Sequence, residues 1–274
     1  MKNLFVCEFE RIWSKKSTWL LFLLIPFVIF ASGKYYLSHN IAVDIASAEF
    51  TSFGNFPSAT IQEQLITFFN ASALLIIALA VTEEYRTGEI RMVLIRCKSF
   101  GQLFVCKIFA IFTTILMMLI TYFICSLVIG CFLMPRVDNI RIFYYDGFFT
   151  ISQSFIYALK YYSYSFITLL AFAAVGIFIG IISRSITTAI GSGVGFLLFS
   201  LIYPQLVYIF SSIKGVGTMK IQLVSITHIQ HMGIAMALGE RSLFLGWSTL
   251  ILVVYIVVFI TISYVIFTRS DKNI

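Results

Sequence analysis

Residues 82–99, TEEYRTGEIRMVLIRCKS, form the densest island of charge in a chain that is otherwise mostly apolar, with three Glu, three Arg and one Lys. The runs at 63–82 and 107–134, on either side, are each long and apolar enough to cross a bilayer. Within the island, Ile90, Val93, Leu94 and Cys97 fall at i, i+3, i+4 and i+7, the apolar stripe of a short amphipathic helix. Thr87 and Gly88 ahead of the stripe suit a turn and a helix start. Ser99 and Gln102 have the spacing of a capping box for the next helix. The reading is a chain that leaves the membrane, makes one short surface helix and re-enters.

Composition agrees with that reading. The chain has 274 residues, of which 60% are hydrophobic and only 11% charged, and its mean hydropathy is +0.97. A soluble domain carries about 25% charged residues, so this composition excludes an ordinary water-soluble globule. The five cysteines lie at apolar or terminal positions with neither a disulfide framework nor metal-ligand spacing. His228 and His231 are three residues apart without a third ligand nearby, so no metal site is expected.

The fold class expected is an all-α membrane protein of one domain over 1–274, with six transmembrane helices and an N-terminal interfacial amphipathic helix. Six apolar runs are expected as spans at about 18–37, 63–82, 107–134, 162–182, 186–210 and 244–267. The third is long for one straight crossing, so it either tilts or keeps its first turns at the surface with Lys107 snorkelling. Ahead of the first, residues 2–16 place Phe5, Phe9, Ile12 and Trp13 on one face and charges on the rest, a helix suited to the membrane interface. Glu8 and Glu10 argue against a cleaved signal there.

The positive-inside rule orients the spans. Twelve of the nineteen basic residues fall on the side of the N-terminus and the 83–98 loop, so both termini are expected in the cytoplasm. The net charge of +7 therefore reads as topology, and no nucleic-acid partner is expected. In the fourth and fifth spans, Gly176 and Gly180, then Gly191 and Gly195, have the small-residue spacing that lets membrane helices pack closely. Pro204 predicts a kink in the fifth. Residues 211–243 are too polar for a confident seventh crossing.

The segment Glu84-Tyr85-Arg86-Thr87-Gly88-Glu89-Ile90-Arg91, set between two spans, resembles the first cytoplasmic loop of ABC-2 type transporter permeases. The likeness covers about ten residues as a motif and most of the chain as a layout. It departs from the family where Arg96-Cys97-Lys98 runs on without the Pro often found there. The resemblance implies that 83–98 is a cytoplasmic coupling helix docking on an ABC ATPase subunit, through Glu84, Arg86, Gly88, Glu89, Ile90, Arg91, Val93 and Leu94. It implies a second permease subunit, the same or related, in a bacterial cytoplasmic membrane. It also implies short re-entrant helices before the last span. The substrate class it suggests is amphipathic, such as an antimicrobial peptide of the lantibiotic kind or a lipid-like molecule.

Absences narrow the function further. No phosphate-binding loop occurs, so ATP and Mg are expected on the partner ATPase, with no cofactor and no catalytic residue in this chain. The middles of the six expected spans hold no ionisable residue, which weighs against an ion-coupled secondary transporter or a membrane-bound processing enzyme, the two alternatives. Asn70, Thr113, Thr114 and Ser126 are polar without being ionisable, and are expected to bond to neighbouring helices.

Overall fold

The computed structural model describes residues 2–83, 100–211 and 215–269. These build an all-α fold with six helices long and apolar enough to span a membrane. In chain order they are α2 (Lys16–Asn40), α3 (Phe56–Thr82), α4 (Phe100–Leu133), α5 (Ile151–Ile182), α6 (Ile186–Phe210) and α9 (Leu245–Arg269). A short α1 (Lys2–Trp13) precedes them. Between α6 and α9 lie α7 (Val216–Gln222) and α8 (Ile226–Leu238), which meet at 112° in the manner of a broken span or a re-entrant loop. The two-residue strands β1 (Ile140–Arg141) and β2 (Phe148–Phe149) pair antiparallel between α4 and α5.

Capping chemistry sets the helix starts. Thr150 and Gln153 form a reciprocal capping box, so α5 begins at Ile151 rather than near 162 and takes in the end of the stretch between the third and fourth expected spans, Lys160 included. Ser185 and Thr188 do the same for α6 after the short turn at 183–185. Pro57 sits in the first turn of α3, where its missing N–H is no loss, so α3 starts at Phe56 and not near 63. The longer α3 therefore carries an ionisable residue, Glu63, that the shorter expected span leaves at its edge.

Burial divides the bundle. In the most apolar windows of α3, α4 and α5, 67%, 61% and 61% of residues are buried, against 17% in α6 and α9. The first three are the centre; α2, α6 and α9 turn Trp19, Leu23, Phe27, Leu198, Phe199 and Val257 outward. An apolar outer face is what a lipid solvent requires. At the centre, Phe69 and Tyr122 meet edge to face at 5.1 Å, and Tyr122 donates to the Thr60 carbonyl at 3.3 Å.

The α4 helix has 34 residues, about 50 Å of helix, well beyond a hydrocarbon core of about 30 Å. Lys107 near its start does not snorkel to solvent; it is 2% exposed and enclosed by protein. What encloses it is α1, which lies along α4 with Glu8 and Ile12 buried. Phe9, Trp13 and Phe22 pack in series with tilted rings where α1 passes into α2.

Candidate functional site: a charged node at the ends of α3 and α4

Glu8, Arg11, Lys15, Glu83 and Lys107 converge where α3 ends its described course and α4 begins. The Glu8 carboxylate accepts from the Lys107 ammonium at 3.0 Å and from the Arg11 guanidinium, one turn along α1. The Lys15 ammonium pairs with Glu83 at 2.6 Å. Each ammonium also reaches the backbone of α3: Lys15 Nζ donates to Leu79 O at 2.6 Å and Lys107 Nζ to Ala80 O at 2.9 Å.

Those two carbonyls lie in a π-turn over Ala78–Thr82, where the Glu83 amide bonds back to Ala78 O, five residues away. Such a turn inserts a residue and loosens the helical ladder, which opens its carbonyls to outside donors. Cations at the C-terminal side of a helix are also favoured by its dipole. Glu8 is buried, so its charge is tolerable only because two cations answer it. On the far side, Thr82 Oγ1 donates to Gly180 O at 3.0 Å, which joins α5 to the same corner. The node thus ties α1, α3, α4 and α5 at the two flanks of 84–99.

Of the coupling residues expected from sequence, Glu84, Arg86, Gly88, Glu89, Ile90, Arg91, Val93 and Leu94 lie outside the described residues. The glycines are described. A Cβ on Gly176 would meet Ile77 at 2.9 Å and one on Gly180 would meet Thr82 at 3.3 Å, so α5 approaches α3 closely there. Gly191 and Gly195 face open space among the described residues, whereas Gly193 between them lies against Leu74, 2.5 Å from an added Cβ.

A second polar assembly holds the bent pair α7–α8. Asn70 and Gln230 exchange amide hydrogen bonds at 2.8 and 3.1 Å, both fully buried, and Gln230 also reaches Thr168 at 3.4 Å. Asn70 follows one π-turn, Leu65–Phe69, and Gln230 sits in another, Ile229–Gly233. The hydroxyls of Ser200, Ser225 and Thr227 form a buried triangle with sides of 2.9 to 3.0 Å. Among the described residues, no group of three or more His, Cys, Asp or Glu could hold a metal.

Of the polar residues expected to bond to neighbouring helices, Asn70 does so, with Gln230 as its partner, whereas Thr113, Thr114 and Ser126 donate to the carbonyls of Phe109, Ala110 and Phe123 in their own helix. Glu8 and Lys107 were not expected as a pair. The signal available was Glu8 itself, a carboxylate one position from Phe9 on the apolar side of α1.

No curated protein matches the chain. A family model does, over residues 19–272, which takes in all six long helices apart from the first turn of α2 and leaves α1 outside. The chain belongs to that family, described as a protein of unknown function, DUF2705.

Proposed function

We propose that this chain is the permease subunit of an ATP-driven exporter of ABC-2 type, working with a separate ABC ATPase and a second permease subunit. The observation that carries the reading is the charged node. Glu83 and Lys107 bracket 84–99; Lys107 is held by Glu8 of α1 and bonded to the end of α3, and Glu83, at that end, is held by Lys15 in the turn between α1 and α2. A load applied to that connection by an ATPase enters four helices at once, since Thr82 passes it on to α5. Buried ion pairs break at high cost when one partner is lost, so the corner moves as a unit.

On this reading, ATP-driven closure of the ATPase pair pushes the connection, and α3 and α5 shift together along their close glycine contacts. The chain performs no chemistry of its own. Both termini are cytoplasmic, the membrane is the bacterial plasma membrane, and the cargo is amphipathic, an antimicrobial peptide or a lipid-like molecule. The cargo class rests on the family resemblance alone.

The test is co-purification. The chain is produced together with each ABC ATPase subunit of its own organism in turn, and retention of that ATPase on the tagged permease is measured, followed by hydrolysis in lipid nanodiscs. Stoichiometric retention supports the assignment. An ATPase that washes away while the permease stays folded overturns it.

A further inference from the structure

The end of the bundle remote from α1 holds a cavity that the exporter reading does not use. The α2 helix rises about 37 Å from Lys16 to Asn40, which carries its last turns to the opposite end from Lys15 and Glu83. There, α2, α3 and α5 surround a cavity of about 310 Å³ beneath β1.

Its charge is unbalanced. Glu49 and Glu63 line it, and neither makes an ion pair among the described residues. Arg141 also lines it, with its guanidinium over the Phe148 ring at 5.2 Å, so the lining sets two carboxylates against one guanidinium. Glu63 lies about 10 Å along α3 from Phe56, and both it and Glu49 are exposed, so the two carboxylates are accessible to a ligand.

Its walls are aromatic. Tyr36 and Tyr157 line it, and the Tyr36 hydroxyl is fixed by donating to Ala59 O at 3.0 Å. Tyrosine faces attract organic cations through the ring quadrupole.

Two buried polar atoms wait for a partner. Tyr161, 1% exposed, lines the cavity, and its hydroxyl has no hydrogen-bond partner. His39 Nδ1, on the same lining, also has none. An unpaired buried group is costly, so a cavity that gathers two of them beside two carboxylates outside any ion pair among the described residues is built for something that supplies bonds.

We infer that this cavity binds a small organic cation, an ammonium group carried on an apolar body, with the carboxylates of Glu49 and Glu63 holding the charge, Tyr36 and Tyr157 enclosing it and the Tyr161 hydroxyl making a directional bond. The site stands apart from the exporter reading and needs no ATPase.

The probe is phenethylammonium, titrated calorimetrically into the full chain in nanodiscs of zwitterionic lipid. Its neutral match, 2-phenylethanol, and its anionic match, 3-phenylpropionate, are run beside it. Saturable binding of the ammonium alone is expected. Glu49→Gln combined with Glu63→Gln weakens it by about ten-fold, and Tyr161→Phe by about five-fold with no fall in melting temperature, since that hydroxyl bonds to nothing in the free chain. Equal binding of the alcohol, wild-type affinity in the double Gln variant, or no binding of the ammonium overturns the assignment. No ATPase is present in this assay, so its outcome is independent of whether the chain is a permease.

Discussion

Ser225 Oγ donates a hydrogen bond of 2.6 Å to the backbone carbonyl of Ser200, the carbonyl that the amide of residue 204 would occupy were that residue not Pro. Pro204 thus opens an acceptor inside α6, and Ser225, the residue that caps the start of α8, closes it. Gln222 adds a bond from its side chain to Pro204 O at 3.0 Å. The polar segment that hydropathy alone leaves unplaced is seated on the defect in its neighbour.

This relationship gives a rescue prediction. Ser225→Ala should destabilise the chain by about 1–2 kcal/mol, because it strands the Ser200 carbonyl and removes the cap on His228 N. In a Pro204→Ala background the residue at 204 again has an N–H, and the Ser225→Ala penalty should fall by about 1 kcal/mol. Unfolding of the four proteins in mixed micelles measures the coupling. Equal penalties in both backgrounds would mean that the carbonyl never depended on Ser225.

The buried pair in the node predicts an asymmetry. Glu8→Ala removes the Glu8 carboxylate from the enclosed Lys107 ammonium, and should cost about 3 kcal/mol. Glu8→Leu joined to Lys107→Met removes both charges and should recover most of that loss, short of full recovery because Ala80 O then lacks its donor. Limited proteolysis and thermal unfolding read both variants. A double variant as unstable as Glu8→Ala alone would count against a paired role.

How far the sequence carried this fold depends on which physical signal each element uses. The six long helices were legible because continuous apolarity is a strong signal, and α6 was placed at 186–210, as found. The starts of α3 and α5 were not, although Pro57 and the Thr150–Gln153 spacing marked them, because the continuous apolar runs begin well after the capping residues. Lys107 illustrates a deeper limit. A lone Lys near a span end snorkels by default, and only the placement of α1 against α4 reveals that Glu8 is there to receive it. The Asn70–Gln230 exchange joins residues 160 positions apart, a distance over which one sequence gives no pairing information.

The proposed topology, with both termini cytoplasmic, rests on the basic-residue bias and can be checked directly. In a cysteine-free background, Asp44→Cys and Asp138→Cys lie on exposed positions beyond α2 and α4. A membrane-impermeant maleimide added to intact cells should label both. Lys272→Cys should react only after permeabilisation. Labelling at 272 in intact cells would invert or break the six-span arrangement.

The proposed coupling rests on residues 84–98, which lie outside the described residues, so its prediction is one of function. If an ATPase docks there, the apolar stripe of Ile90, Val93 and Leu94 supplies most of the affinity and the charges of Glu84, Glu89 and Arg91 set register and association rate. Leu94→Asp should then cost several kcal/mol of docking by placing an unpaired charge in an apolar cleft. Arg91→Ala, as a solvated rim charge, should cost about 1 kcal/mol or less. Glu8→Leu with Lys107→Met should leave docking intact, since neither residue lies in the connection, yet reduce substrate-stimulated hydrolysis by loosening the corner through which the load passes. Retention of the ATPase on purified permease separates the first two variants, and stimulated hydrolysis isolates the third. Full retention and stimulation with Leu94→Asp would reduce residues 84–98 to a plain connection and remove the basis for an ATP-driven reading.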